Sequence, residues 1–156
     1  MTPKEPDVVK NLIAVVAAGT VVIGGLAACS SGPAPVARQQ PGTERAGTAT
    51  LTINDQDAGT TQDVSCLPAG TLTTIHAGTE QAGATIVVSS DDALTVQSVN
   101  LHNLNGFTGT YNQGLGGDAT VAMIGRTYQL LGTADGFDSA DPSSRKTRPF
   151  SIAVSC

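Results

Sequence analysis

Ala84-Thr85-Ile86-Val87-Val88-Ser89-Ser90-Asp91-Asp92-Ala93-Leu94-Thr95-Val96 is the stretch that decides the fold. Ala84, Ile86 and Val88 recur at every second residue, the period of a strand with one buried face. Ser89-Ser90-Asp91-Asp92 then interrupts with residues whose side chains bond their own backbone in turns. Leu94 and Val96 open a further strand that runs to about Leu101.

Outward from this pair the same rhythm continues. Upstream, Ala49, Leu51 and Ile53 alternate with threonines, and Asn54 to Gly59 reads as a turn. Gln62, Val64 and Cys66 form the next strand, closed by Pro68-Ala69-Gly70, and Leu72 to Ala77 another, with a turn at Gly78 to Gln81. Downstream, Thr108 to Tyr111 is a short strand and Asn112 to Asp118 a Gly-rich loop. Val121 to Ile124 and Tyr128 to Gly132 read as a hairpin around Gly125-Arg126, and Phe150, Ile152 and Val154 alternate into Cys156. Short strands at this spacing predict an all-β domain over 48–156, an antiparallel β-sandwich or open barrel of about eight short strands. The one place for a helical turn is 136–144, where the alternation lapses.

A chain of 156 residues is one domain with room for a tail. Its net charge of -5 and lack of Lys/Arg clusters exclude a nucleic-acid binder, and 40% hydrophobic residues argue against wholesale disorder.

The N-terminus has a different grammar. Lys10 precedes an uncharged run from Asn11 to Ala28, the layout of an export signal over 1–28. Its glycines, Gly19, Gly24 and Gly25, weaken it as a permanent membrane helix. Glu5 and Asp7 offset Lys4 and Lys10; a translation start at Val8 or Val9 would leave Lys10 alone ahead of the run. The run ends in Leu26-Ala27-Ala28-Cys29, which resembles the bacterial lipobox. In such proteins the signal is cut before the cysteine, here between Ala28 and Cys29, and the thiol carries a diacylglycerol. The new amine is then acylated. Small Ala27 and Ala28 suit a peptidase cleft, and only a thiol forms the thioether. Residues 29–47 follow as the lipidated N-terminus and a linker with Pro33, Pro35 and Pro41. Such a linker reaches about 55 Å in polyproline geometry and roughly 23 Å as a coil.

Setting Cys29 aside leaves Cys66 and Cys156, an even pair in an oxidising compartment. A disulfide between them is worth roughly 2–4 kcal/mol and pins the last strand to an early one. The alternatives are a metal pair, poor without a histidine ligand nearby, or two free buried thiols.

A catalytic reading finds little support. There is no Gly-x-Ser-x-Gly elbow, His-Glu-x-x-His or phosphate-binding loop, and His76 and His102 fall in strand or strand-end contexts as surface residues. Asp135, Asp138 and Asp141 recur every third residue but lack the pattern of a calcium loop, while Asp55 and Asp57 before Gly59 read as turn formers. The basic run Arg145-Lys146-Thr147-Arg148 is most simply a solvated loop, or a contact for Asp135–Asp141 or an acidic envelope polymer. No catalytic residue, metal site or cofactor is expected beyond the diacylglycerol and N-acyl group on Cys29.

From about Leu51 to Cys156 the chain resembles the mycobacterial LpqH-type lipoprotein antigen family. The likeness rests on Leu51-Thr52-Ile53-Asn54-Asp55, Val64-Ser65-Cys66, Val96-Gln97-Ser98-Val99-Asn100-Leu101, Asn105-Gly106-Phe107 and Phe150 to Cys156, with both cysteines at the family's positions. The resemblance implies a secreted, non-enzymatic envelope lipoprotein held on the extracytoplasmic face of the membrane. It also implies immune stimulation through the acyl group on Cys29, with host pattern-recognition receptors as its partners. The family's best-known member has a Thr-rich linker suited to mannosylation; this linker is Pro-rich, with Thr43 its main candidate. The competing reading is a carrier of lipid or glycolipid that holds acyl chains in a cavity of the β domain. Against it stands the scarcity of apolar material beyond the domain's own core.

Overall fold

The computed structural model describes residues 45–156, so Ala28, Cys29 and the signal and most of the linker lie outside the described residues. Ten strands follow in chain order. They are β1 (Thr48–Ile53), β2 (Gln56–Thr61), β3 (Val64–Ala69), β4 (Leu72–Gly78), β5 (Gly83–Ser89), β6 (Thr95–Leu104), β7 (Phe107–Asn112), β8 (Ala119–Ile124), β9 (Thr127–Asp138) and β10 (Asp141–Ser155). Every pairing is antiparallel, in the order β2-β1-β10-β9-β7-β6-β5-β4-β3, with β8 added beside β9. The result is an all-β, nearly closed, barrel-like sheet.

The alternation read from the sequence sets the inner face. Leu51 and Ile53 of β1, Ile75 of β4, Ile86 and Val88 of β5, and Ile152 and Val154 of β10 belong to one buried cluster with Leu101, Phe107 and Leu130. Burial of this apolar surface is the main force that closes the sheet. Where the rhythm slips by one residue, the backbone bulges to keep it. Val96 and Val99 are three apart, yet both are buried, because the pairing runs Val88↔Val96 and then Val87↔Ser98, leaving Gln97 as the extra residue. Leu101 and Leu104 are reconciled in the same way against β7. There Asn103 takes a left-handed φ of 49°, and its Nδ2 donates to the Gln81 carbonyl at 3.1 Å.

Two expectations change. The turn expected from Asn54 to Gly59 is only Asn54-Asp55, with φ of 53° and 60°, and β2 begins at Gln56. β2 is an exposed edge strand of polar residues, so it shows no apolar period. The segment 136–144 holds no helical turn. It is the end of β9, a tight Ser139-Ala140 turn and the start of β10. The alternation lapses there because glycine fills an inner position. Gly136 lies against Gly109 of β7, where an added Cβ would stand 2.0 Å from the Thr108 carbonyl oxygen.

Candidate functional site: the two ends of the barrel

The β1–β10 ladder pairs Thr48 with Ser155 at one end and Ile53 with Phe150 at the other. The far end carries the charges. Lys146 and Arg148 alternate in phase with buried Phe150, Ile152 and Val154, which places them on the inner side of β10 where the core runs out. Lys146 Nζ donates to Asp138 Oδ2 at 2.8 Å and Arg148 Nη2 to the same oxygen at 2.7 Å. The hydrogen bond from Lys146, then that from Arg148, holds the Asp138 carboxyl below the usual carboxylate range, against a smaller opposing effect of burial. The ion cluster borders a shallow cleft of ≈ 280 Å³ floored by Ile53 and Phe107. The basic run is therefore strand rather than loop, and its partner is the aspartate side of β9. Thr147 Oγ1 donates to Asp135, and Ser143 Oγ donates to Asp141 at 3.2 Å. The three aspartates are thus spread over separate contacts, and no cluster of metal-ligating side chains occurs among the described residues.

The histidines are not brought together with acid or nucleophile. His76 Nδ1 lies 3.1 Å from Thr85 Oγ1 across the β4–β5 ladder, and His102 is exposed on β6. Among the described residues no carboxylate is hydrogen-bonded to either imidazole.

At the near end the chain enters from its linker. Gly47 N–H donates to the Ser155 carbonyl at 2.8 Å, Cys156 N–H to the Arg126 carbonyl at 3.4 Å, and Arg126 Nη2 to the Cys156 carbonyl at 2.6 Å. The linker junction, the β8–β9 hairpin tip and the last residue thus meet. Cys66 of β3 is joined to Cys156 by a disulfide, with Cα atoms 5.8 Å apart and a sequence separation of 90. β3 is the end strand of the sheet path, so the bond staples the seam that ladder hydrogen bonds leave open. Pro68 sits on that edge strand, where its missing N–H discourages pairing with another chain. Beside the disulfide an open groove of ≈ 430 Å³ is lined by Val64, Pro68, Thr73, Arg126 and Tyr128. The hairpin tip was legible only as a turn; the apolar Met123 and Ile124 running right up to Gly125-Arg126 were the available signal that it does more.

A sequence profile described as the Mycobacterium 19 kDa lipoprotein antigen matches residues 42–156, the whole β domain. The chain belongs to the Mycobacterium 19 kDa lipoprotein antigen family. Lipoprotein LpqH of Mycobacterium avium is 36% identical over 105 residues, which cover 67% of this chain and 65% of that one. Lipoprotein LpqH of Mycobacterium tuberculosis is 31% identical over 158 residues, covering 94% of this chain and 98% of its own length. Membership of the 19 kDa antigen family makes the chain a lipoprotein antigen of the mycobacterial envelope, associated with the membrane.

Proposed function

We infer that the chain is displayed from the extracytoplasmic face of the cell membrane by diacylglycerol and an N-acyl group on Cys29, after cleavage between Ala28 and Cys29. The observation that carries this is the motif Leu26-Ala27-Ala28-Cys29 at the end of an uncharged run, directly ahead of a Pro-rich linker and a lipoprotein-antigen domain. Two or three acyl chains anchor stably where one holds only marginally, at about 0.8 kcal/mol per buried methylene. The β domain is non-catalytic in this reading, and the immune-stimulating element is the lipid, recognised by host pattern-recognition receptors.

The carrier reading ranks second. Ile75, Ile86, Leu101, Leu130 and Ile152 are buried in the interior, and in this reading an acyl chain would lie in the open groove of ≈ 430 Å³ beside the disulfide. Native mass spectrometry of the purified protein would reverse the order if it found lipid of defined mass held non-covalently.

Intact mass before and after acyl release tests the main reading. The expected mature chain starts at Cys29 and carries the mass of its acyl groups, while Cys29→Ala accumulates uncleaved or in the soluble fraction. A mature chain with a free Cys29 thiol that stays in aqueous buffer would overturn it. Host-cell stimulation should vanish on deacylation while the fold persists.

A further inference from the structure

The β8–β9 hairpin ends in Met123-Ile124-Gly125-Arg126, and there Met123 keeps 48% and Ile124 44% of its surface exposed. Hairpin tips are normally polar, so two large apolar side chains at one tip are a feature to explain. Arg126 beside them is exposed, and its Nη2 donates to the Cys156 oxygen at 2.6 Å, one of five guanidinium N–H donors. This tip lies where the linker joins the domain, through the contacts of Gly47, Ser155, Arg126 and Cys156.

We propose that this end of the barrel is a membrane-docking face, in which Met123 and Ile124 enter the headgroup–acyl boundary of an anionic phospholipid surface and Arg126 pairs with lipid phosphate. The proposal rests on the acylation of Cys29 inferred above, which makes docking an intramolecular event. The linker ends at Gly47, so the junction is the part of the domain tethered most directly to Cys29 along the chain, and the local lipid concentration there is high. Cations also stand at this face. The chain carries a net -5, so an anionic surface repels most of it. Lys146 and Arg148 at the opposite end are both held by Asp138. Arg45 and Arg126 stand at the junction, and an apolar patch with a cation at its rim is the arrangement that binds at a lipid interface.

The chain contains no tryptophan, so a single one placed by substitution reports its own surroundings. Ile124→Trp and Met123→Trp put it at the tip. Leu115→Trp, at a position 83% exposed in the loop at the other end of β8, is the reference. The acylated full-length mature protein is reconstituted into phosphatidylcholine–phosphatidylglycerol vesicles whose chains are brominated close to the headgroup. The expected result is a blue shift and about twofold quenching for both tip variants, with little change at position 115. Adding Arg126→Gln should reduce the quenching and its sensitivity to salt. Flotation with the vesicles but unquenched tip fluorescence overturns docking alone. Equal quenching at the tip and at position 115 overturns it too, as does a blue shift without quenching, which would place the tip against a second copy of the chain. Failure to float overturns the acyl anchor and the docking built on it.

Discussion

Cys66, on the open edge of β3, is bonded to Cys156, the residue just beyond β10, and the bond closes a loop spanning 90 residues of sequence. Strands β4 to β10 lie inside that loop, while β1 and β2 precede it. The two strands share no hydrogen-bonded ladder, so the covalent link substitutes for the missing closure of the barrel. For a loop this long the chain-entropy account assigns about 4–5 kcal/mol, above the roughly 2–4 kcal/mol typical of disulfides and expected from the sequence. The Cys66→Ala/Cys156→Ala double variant should therefore unfold at much lower denaturant concentration, with an increased m-value as its unfolded chain expands. An unchanged midpoint would show that the seam is held by packing alone.

Gly136→Ala should cost about 1–3 kcal/mol as an overpacking change. Its added methyl would collide with backbone atoms of Thr108 and Gly109, which cannot swing aside as a side-chain end can. Gly114→Ala meets no atom but needs a left-handed backbone at φ 81°, so its smaller cost should be conformational. Thermal melts of the two variants separate the steric cause from the conformational one.

Asp55→Gly should raise stability by up to about 1 kcal/mol. Asn54 and Asp55 both hold positive φ in the two-residue β1–β2 turn, and Asn-Gly is the pair best suited to that turn. A fall in melting temperature would mean that the Asp55 side chain contributes more than its backbone strain costs.

The Asp138 cluster carries a pH signature. Its folded pKa lies below the unfolded value, because Lys146 and Arg148 favour the carboxylate. Its contribution to stability is thus fully present above the unfolded pKa, about 4, and is lost as pH falls through the lower folded value. The difference in stability between the parent and Asp138→Asn should be level from pH 7 to about 5 and shrink below about 4. The cluster is partly solvated, so added salt should reduce that difference. A difference independent of pH would instead assign the effect to packing.

Most strands were legible because burial of one face leaves a period of two. Ala84-Ile86-Val88 and Phe150-Ile152-Val154 show it, and both are buried sets. The Gly125-Arg126 hairpin was legible from its turn chemistry, with Gly125 at φ 61°. β2 was hidden because neither of its faces is fully buried, and a polar strand leaves no periodic trace. The extension of β9 and β10 through 136–144 was hidden because a glycine contact and an ion cluster, rather than apolar side chains, occupy the inner positions.

Local spacing by itself determined that this domain is built of antiparallel strands, which residues face inward, and that a cysteine sits where an export signal gives way to a linker. Those features arise from neighbours a few residues apart. Only the tertiary structure decided that β1 pairs with β10, that Asp138 gathers Lys146 and Arg148, and that the linker junction, the hairpin tip and the disulfide share one end. Each of these depends on contacts between distant segments, which form only when the buried faces of many strands are satisfied at once, and no local pattern of residues records them.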